Sequence, residues 1–562
     1  MRIFITAVLI GILVDFLGAQ NINESRRADF SQAGASHIVY PTLEIHLADY
    51  GGVADGVTCN YAATQAAITA LNGSRGIIRF GPGIYLFKQS INLLQQIVLV
   101  GEGAANTELH FDLDGTGHCI SASGTRLLDS VPILMHLTKG DRFIPIAGAH
   151  GLMAGDYVML LFDDHQFVHD DWADRTVGQI NRIVDIDIEG VYLQHEIRKD
   201  YPVAEHAFLE RINPVSHVGV ECLKIKRLDN TPIQTSNIFF NLAAECWVSG
   251  VESEFCNYAH VTFQRSTKCA VAGSYFHHAF TYGSGGKAYG VVLQNTSGDI
   301  KVENSIFEHL RHSVLLQAGV NGNVIAYNYS TDPYKTINLG GFEIPSDFTG
   351  DLVCHGNYPY LNLFEGNVCA YGIIDASHGA NGPFNTYFRN RMERYGMQVS
   401  NSSPDNVDQN ILGNEVVDWM ISETGHLLYG NNLEGTPVPA GTTDPTENSQ
   451  YATIPPAYFS GYEWPPTGYP RSYDEFIIPA QGRFTNGNHT VCNPINLCPD
   501  SLEIHEIGYD SATYHSAGVL RLNAQIFPFQ NIKLQAADAV ELMKGVSVEQ
   551  DATFEVNLIG CP

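Results

Sequence analysis

The middle of the chain repeats with a period in the low twenties. Asn residues recur in the short segments "AYNYS", "FEGNV", "FRNRM", "LGNEV" and "YGNNL", at positions 328, 367, 390, 414 and 431. Gln264, Gln294 and Gln317 each end a short apolar strand that follows a polar turn, and Cys246 and Cys269 stand one period apart. A unit of this length cannot bury its own apolar face, so neighbouring units must stack.

Short β-branched and aromatic segments at this period predict an all-β fold, a right-handed parallel β-helix over 47–433. Stacking places equivalent residues of adjacent coils about 4.8 Å apart. The Asn and Gln columns are therefore expected to hydrogen-bond between coils and to serve structure rather than chemistry. Cys246 and Cys269 are expected to form a disulfide or a close stacked contact.

The N-terminal part begins with a Gly-rich turn and an Ala-rich helix, "LADYGGVADGVTCNYAATQAAITAL", followed by strands. Such a helix can cover the open end of a solenoid. The turn Ala54-Asp55-Gly56, the helix and the later Pro82-Gly83-Ile84-Tyr85 resemble the opening of the pectate-lyase-like β-helix superfamily. The resemblance extends over about 47–433 and implies the fold, while the superfamily itself includes hydrolases, lyases and phage tailspikes.

Breaks in the repeat divide the chain. Residues 1–19 have the order of a signal peptide, and an inserted β-subdomain is expected at about 133–202, where the period is lost. Turn-forming residues dominate 434–494, which predicts a linker and closing segment. Residues 495–562 alternate apolar and polar residues and are similar to the small C-terminal β-modules of some exported bacterial enzymes, which serve export or surface attachment.

The charge composition of the chain limits the kinds of molecule that it can bind. The chain has 60 acidic and 31 basic residues among 562, a formal charge of -29. This charge repels nucleic acid and anionic lipid headgroups, so neither is expected as a partner. Beyond the N-terminal segment no stretch reaches transmembrane length, and the expected location is secreted or at the cell surface.

Candidate catalytic residues cluster after the first Asn of the repeat. The long loop between Asn328 and Asn367 carries Asp351 and His355, and the next coil carries Asp375 and His378. Asp375 aligns with the Gln column, where structure alone does not require a carboxylate. We therefore predict Asp351 and Asp375 as a carboxylate pair facing one cleft, aided by His355, His378 and, from the preceding coil, Arg311 and His312.

Other residues are predicted to bind the substrate. The set comprises Arg389, His278, Tyr282, Tyr289 and Trp172. The acidic loop 163–171 has a metal-like composition, but its spacing fits no ligand template, so a solvated loop is expected and no metal site is assigned.

Three functions are compatible with these residues. The first is a secreted polysaccharide-cleaving enzyme, a glycoside hydrolase using Asp351 and Asp375 and no cofactor. The second is a polysaccharide lyase that removes a proton beside a uronate carboxylate with Arg311, His312, His355 or Arg389, in which case the carboxylates would hold Ca²⁺. The third is a non-catalytic glycan-binding or adhesin solenoid, which would bind glycan without Asp351 and Asp375.

Overall fold

The computed structural model describes residues 22–557 except 36–39, 42, 147–149, 401–405, 422–424, 469–475, 493–500, 505–511, 517–518, 527–529, 537–538, 545 and 551. The predicted signal peptide lies outside the described residues. Most of the chain winds through parallel strands. One side of the coils is a 12-stranded sheet, paired in parallel throughout and made of Glu44–His46, Gly76–Arg79, Ile97–Val100, Gly219–Glu221, Trp247–Ser249, Ala270–Ala272, Lys301–Glu303, Val324–Ala326, Leu363–Glu365, Thr386–Phe388, Asn410–Leu412 and Leu427–Tyr429.

A 21-stranded sheet forms the rest of the coil wall, as two series joined by two long strands. The first series consists of Asp55–Cys59, Gly83–Phe87, Thr107–Phe111, Lys224–Arg227, Glu252–Cys256, Tyr275–Ala279, Ile306–Glu308, Tyr329–Thr331, Val368–Ile374, Arg391–Val399, Glu415–Val416 and Asn431–Leu433, which Thr436–Val438 joins antiparallel. The second series consists of Ile91–Leu93, Ile120–Ser123, Ile238–Asn241, Ala259–Gln264, Tyr289–Gln294, His312–Gln317, Leu352–Cys354, the second halves of the two long strands, and Trp419–Met420. These stacked coils confirm the predicted parallel β-helix.

The interior of the coils is a continuous apolar core. It runs from Leu47 to Val416 and contains Phe and Ile side chains stacked in register, among them Phe240 on Phe263 at 5.0 Å between ring centroids. Helix α1, Tyr61–Leu71, packs Ala67, Ile68 and Leu71 onto this core. It thus covers the first coils in the way the Ala-rich segment predicts, because a solenoid end otherwise exposes apolar surface.

Both polar columns are confirmed as ladders. Asn328 donates to Asn367 at 3.0 Å, Asn367 to Asn390 at 2.8 Å, and Asn390 to Asn414 at 3.0 Å. Gln317 donates to Gln294 at 2.9 Å. The Asn side chains are buried, so these bonds satisfy groups that would otherwise be costly to hide from water.

The predicted Cys contact is confirmed as stacking without a bond. The register pairs Trp247 with Ala270, which places Cys246 beside Cys269 in the next coil. Both are buried free thiols, and each donates to a carbonyl two residues earlier, Ala244 and Thr267.

A six-stranded antiparallel sheet interrupts the coils. Its strands, in sheet order, are Phe143–Pro145, Gly190–Leu193, Gln179–Ile186, Tyr157–Leu161, Phe208–Asn213 and Thr125–Pro132, so the sheet extends beyond 133–202 at both ends. The sheet has its own apolar core, which also contacts Tyr360 and Leu361 of the coils. Arg198 of this insertion binds Asp299 and Asn321 in two coil turns.

The described parts of the segment 434–494 pack on the coils. Phe459 joins an apolar cluster with Tyr327 and Phe388 outside the 12-stranded sheet. Helix α2, Pro479–Thr485, contributes Ala480 to a cluster with Tyr275. A segment rich in turn formers can still be ordered, because its few apolar residues find unfilled surface on the coil walls.

The remaining elements are short. A hairpin of Lys335–Leu339 and Phe342–Ser346 stands in the long loop before Asp351, and Val215–Ser216 pairs with Ala243–Ala244. The 3₁₀ turns are Glu24–Arg26, Phe30–Gln32, Leu47–Tyr50, Asp171–Ala173, Val203–Glu205 and Ala457–Phe459. Across the described part of the chain, no helix is long and apolar enough to cross a bilayer.

The C-terminal strands also pair in parallel. Three small groups form, namely Ser501–Ile504, Val519–Leu522 and Ala539–Leu542; Ala512–Ser516, Asn531–Ala536 and Thr553–Asn557; and Gln525–Ile526 with Ser547–Val548. Leu520, Leu522, Ile532 and Leu534 share one core. The alternation in this part of the sequence thus corresponds to a second, smaller set of parallel coils.

Candidate functional site

The strand register confirms that Asp375 stands in the Gln column. Gln264 pairs with Gln294, and Gln294 with Gln317. In the next two coils, Leu316 pairs with Cys354, and Cys354 pairs with Ile374. The residue after each of these, Gln317, His355 and Asp375, therefore occupies the same column. The column therefore changes from amides to an imidazole and a carboxylate within two coils.

His355 and Asp375 form a hydrogen-bonded pair on this outer face. His355 Nδ1 lies 2.7 Å from Asp375 Oδ2. Burial by itself raises the pKa of Asp375, but the hydrogen bond and charge of His355 outweigh it and hold the pKa below the ordinary value of a carboxyl. Asp375 is thus an ionised acceptor and His355 donates to it through Nδ1, which leaves Nε2 as the ring nitrogen turned to other partners.

A second carboxylate–imidazole pair lies beside the first. His378 Nδ1 is 2.7 Å from Oδ2 of Asp170, which comes from the insertion. Burial raises the pKa of Asp170, but hydrogen bonds from Asn357 and His378 reverse this and lower it. The centroids of the His355 and His378 rings are 5.1 Å apart. The sequence interpretation assigned Asp170 to a solvated acidic loop and did not connect it with the site.

The two imidazoles belong to a continuous row of rings across the second series. The row runs from Tyr258 to Tyr289 at 5.5 Å, to His312 at 5.1 Å and to His355 at 5.8 Å between centroids. After His378 it ends at Trp172, 5.6 Å away and 47% exposed. Of the predicted residues, the structure thus unites Asp375, His355, His378, His312, Tyr289 and Trp172.

His312 is the most enclosed member of the row. Its Nδ1 lies 2.7 Å from the Gly350 carbonyl, so the ring donates there and Nε2 is an acceptor. Burial, and then the charges of Arg311 and His355, lower the pKa of His312 to about 3. The ring is therefore neutral over the ordinary pH range, and it packs flat on Tyr289 as part of the floor.

Arg311 places a cation beside this floor, and Lys335 of the hairpin is a second cation in this part of the molecule. The Arg311 guanidinium lies 5.8 Å from the Tyr289 ring centroid, and its Nη1 donates to the carbonyls of Gly283 and Gly285. Burial, and then the charge of Arg311, lower the pKa of Lys335, whose ammonium lies 5.7 Å from the Phe348 ring centroid. Neither cation has a carboxylate partner among the described ion pairs.

The Asn357 amide of the coils holds the acidic loop through two groups. Asn357 Oδ1 accepts from the backbone N–H of His169 at 2.7 Å, and its Nδ2 donates to Asp170 at 3.1 Å. Nearby, the coil backbone at Gly319 touches the loop, where a Cβ would lie 2.0 Å from the Thr176 carbonyl oxygen. The chain that follows the acidic loop therefore approaches the coil backbone so closely that only glycine fits at position 319.

Gly319→Ala should displace this loop. Gly340 provides a matched control, because φ is +71° at Gly319 and +62° at Gly340, while a Cβ at Gly340 meets nothing within 4 Å. Both substitutions should cost about 1–2 kcal/mol for the left-handed backbone. Gly319→Ala should cost about 1–3 kcal/mol more for the steric clash, and it should also lower turnover. Equal free energies of unfolding and equal turnover for the two variants would contradict this account of the loop.

The predicted pair of Asp351 and Asp375 is wrong. Asp351 precedes strand Leu352–Cys354 and accepts from the backbone of Tyr371, whereas Asp375 follows the paired strand, about 13 Å further along at 3.3 Å per residue. The Asp351 carboxylate is buried and accepts from Ser330, Ser313 and the backbone N–H groups of Ala370 and Tyr371. It ties two coils together and does not face the ring row.

Asp351→Asn should keep turnover and change the pH dependence of stability. The Ser330 and Ser313 hydroxyls can rotate to accept from the new amide, so the four hydrogen bonds persist. Burial raises the pKa of Asp351 to about 6. The wild type should therefore lose about 2–3 kcal/mol of stability as pH rises from 4 to 6, and the variant should not. Urea unfolding at several pH values measures this, and a large loss of turnover would restore Asp351 to the site.

Two predicted substrate-binding positions lie elsewhere. Arg389 is buried outside the 12-stranded sheet, where it binds Asp444 at 3.0 Å and the carbonyls of Thr467 and Pro445. His278 stacks flat on His309 at 4.9 Å, so one of its faces is covered. Arg389 thus anchors the closing segment, and His278 supports a neighbouring turn.

Tyr282 lies in the turn that flanks Arg311. Its hydroxyl accepts from the backbone N–H of Ala279 at 2.8 Å, and its ring packs edge-on against His309 and Tyr334. Its backbone carbonyl accepts from Thr336 of the hairpin. Tyr282 therefore shapes one wall of the site.

Comparison with known proteins supports the fold. Residues 45–126 match the family model "Rhamnogalacturonase A/epimerase, pectate lyase-like". A comparison with curated proteins gives no match. The tailspike protein gp49 of Pseudomonas phage LKA1 is 16% identical with a TM-score of 0.51, over 91% of this chain and 78% of that chain.

Two further tailspikes are less similar. That of Pseudomonas phage phi297 (gp61) is 14% identical with a TM-score of 0.48, over 92% of this chain and 76% of its own. Gp54 of Acinetobacter baumannii bacteriophage AP22, solved with a capsular saccharide, is 13% identical with a TM-score of 0.47, over 91% of this chain and 72% of its own. The matched N-terminal segment and the stacked parallel coils together confirm the resemblance to the pectate-lyase-like β-helix superfamily.

Proposed function

We propose that this protein is an extracellular or cell-surface polysaccharide lyase that cleaves a uronate-containing glycan by β-elimination. The observation that carries the proposal is the pair of adjacent Asp–His contacts, Asp375 with His355 and Asp170 with His378. The pectate-lyase-like family model at 45–126 supports a polysaccharide substrate.

Elimination needs a base near the proton at C5 of the uronate. Imidazole suits this task, because the ordinary pKa of histidine lies close to neutral pH. With Nδ1 donating to Asp375, His355 offers the lone pair of Nε2. Nε2 removes the proton, the electron pair forms the C4–C5 double bond, and the C4–O bond breaks. In a ring that carries protons on both nitrogens, His378 gives its Nε2 proton to the leaving oxygen, and exchange with solvent restores both imidazoles afterwards.

Acid-catalysed hydrolysis fits the same residues less well. A glycoside hydrolase needs a carboxyl that remains protonated beside the leaving oxygen. The two carboxyls at the ring row have lowered pKa values and are ionised. Among the described residues, burial raises the pKa of four carboxyls. Asp351, at about 6, lies within coil packing, and Glu365, at about 7, lies beneath the closing segment. Asp164 accepts from three backbone N–H groups of its own loop, and Glu221 accepts from Tyr40 and Trp247.

The cations Arg311 and Lys335 support an anionic substrate. A uronate carboxylate would otherwise be repelled by the net charge of -29. Arg311 retains guanidinium N–H groups beyond the Nη1 that binds Gly283 and Gly285. These two side chains neutralise the carboxylate and favour removal of the neighbouring proton.

The proposal requires no bound metal. Ca²⁺ prefers several carboxylate and carbonyl oxygens. Asp375 and Asp170 are each engaged by an imidazole, and they do not form an open oxygen set. The cation pair supplies the positive charge that Ca²⁺ would supply in its place. We therefore expect activity to persist in a chelator.

A matched substrate panel tests the proposed function. Uronate polysaccharides and the same polymers with their carboxylates reduced to alcohols would be incubated with the full chain, reading the unsaturated product and the reducing ends. We expect unsaturated product from the uronate polymers alone. Reducing ends without unsaturation would show a hydrolase, and glycan binding without cleavage would show an adhesin; each result would overturn the lyase proposal.

Arg311→Ala and Lys335→Ala should each raise KM for a uronate polymer tenfold or more, because a hydrogen bond to a charged group contributes about 1.5–3 kcal/mol. Arg521→Ala is the control, since Arg521 is a partly exposed cation in the C-terminal coils that pairs with Glu541. Its KM should remain at the wild-type value. Unchanged KM in both site variants would remove these cations from substrate binding.

A further inference from the structure

The end of the closing segment lies directly against one turn of the coils. The backbone N–H of Val491 donates to the Gly273 carbonyl at 2.9 Å. A Cβ built on Gly250 would lie 2.5 Å from the Val491 carbonyl oxygen and 3.2 Å from Cys492 Cα. Gly250 has φ +61°, so both its backbone and the passing chain require glycine at this position.

Cys222 occupies the same corner in the preceding coil. Glu221 pairs with Ser249, and the backbone N–H of Cys222 donates to the Ser249 carbonyl, so Cys222 stands beside Gly250. Adjacent coils are about 4.8 Å apart. Cys492 contacts Gly250 as well, and the thiols of Cys222 and Cys492 are within hydrogen-bonding distance of each other, which is the approach that a disulfide requires.

The chemistry of the two thiols is also suitable. A hydrogen bond from the Cys222 thiol lowers the pKa of Cys492. A lowered pKa raises the thiolate fraction, and the thiolate is the reactive form. Cys492 is exposed while Cys222 is buried, so an oxidant reaches Cys492 first.

We propose that Cys222 and Cys492 form a disulfide that fastens the closing segment to the β-helix. With a small disulfide such as oxidised glutathione as oxidant, the Cys492 thiolate attacks a glutathione sulfur and releases one glutathione. The Cys222 thiolate then attacks the Cys492 sulfur and releases the second. The protein loses two hydrogens and the oxidant is reduced to two thiols.

The fastened segment carries helix α2. Ile478 and Ala480 pack with Tyr275 and Ile306 of the coils. Arg483 Nη1 donates to Asn304 at 2.6 Å. A covalent bond at Cys492 keeps these contacts from opening, because the segment can no longer leave the coil wall without unfolding of the coils.

Peptide mapping of the full chain tests the bond. After incubation with oxidised glutathione, we expect one linked peptide pair containing Cys222 and Cys492, and two fewer reactive thiols per denatured chain. Reduction should lower the urea midpoint of the wild type and leave that of Cys492→Ser unchanged. Cys498→Ser, altered at the neighbouring cysteine, should keep both the link and the shift.

Other results of the same peptide mapping would contradict the disulfide. A link from Cys492 to Cys498 or Cys561, or two free thiols at Cys222 and Cys492 after oxidation, would overturn the proposal. Cys492→Ser alters an exposed side chain and should fold, so the comparison does not depend on substitution of the buried Cys222.

Discussion

Replacing His355 by glutamine should lower kcat about a thousandfold, within the 10²–10⁴ that a general base contributes. Glutamine keeps a similar size and a donor for Asp375, but it has no lone pair that can take a proton at neutral pH. Because Asp375 remains in place, substrate binding should persist and KM should change little. Steady-state kinetics on the polymer that gives the most unsaturated product measures both constants.

His309→Gln is the matched control. His309 Nδ1 lies 2.6 Å from Asp332 Oδ2, so this is also an Asp–His pair on an outer turn, but outside the ring row. Its kcat should stay within twofold or so of the wild type. If His309→Gln lost as much activity as His355→Gln, the loss would reflect disturbed coils rather than a missing base.

Glu415→Ala should lower the free energy of unfolding by about 3–5 kcal/mol, the usual result of removing one partner of a buried ion pair. Arg391 Nε donates to Glu415 Oε2 at 2.8 Å, and both side chains are at most 1% exposed. The other oxygen accepts from the backbone N–H of Gly468 at 3.0 Å. The substitution leaves a buried guanidinium without its carboxylate and releases the segment around Gly468.

An exposed pair of the same length provides the comparison. Arg521 Nε and Glu541 Oε2 are also 2.8 Å apart, with side chains 39% and 47% exposed. Glu541→Ala should change stability by no more than about 1 kcal/mol. Urea unfolding of both variants measures the difference, and similar losses would show that burial does not govern the Arg391 pair.

The repeat in the sequence was sufficient to predict the fold. The Asn residues at 367, 390 and 414 recur at the coil period because each one bonds the next. Stacking requires chemically similar residues in one column, so the period, the columns and the place of Asp375 could be read from residue types alone. The insertion and the closing segment follow no period, and their contacts with the coils could not be predicted in the same way.

The site was predicted only in part for the same reason. Alignment of coils gives the column of a residue but does not show which strand end a loop residue occupies. Asp351 and His355 were therefore placed together, although they stand at opposite ends of the short strand Leu352–Cys354. The contact between Asp170 and His378 joins residues 208 positions apart through the insertion, and no sequence pattern relates them.

The most direct test of the proposed chemistry is the mass balance of cleavage. A uronate oligosaccharide of defined length would be digested by the full chain, and all products would be weighed by mass spectrometry. Elimination at His355 adds no water, so the two fragment masses should sum to the substrate mass, with a double bond in the fragment that carries the new non-reducing end. A sum larger by one water molecule for each bond cleaved would contradict the account.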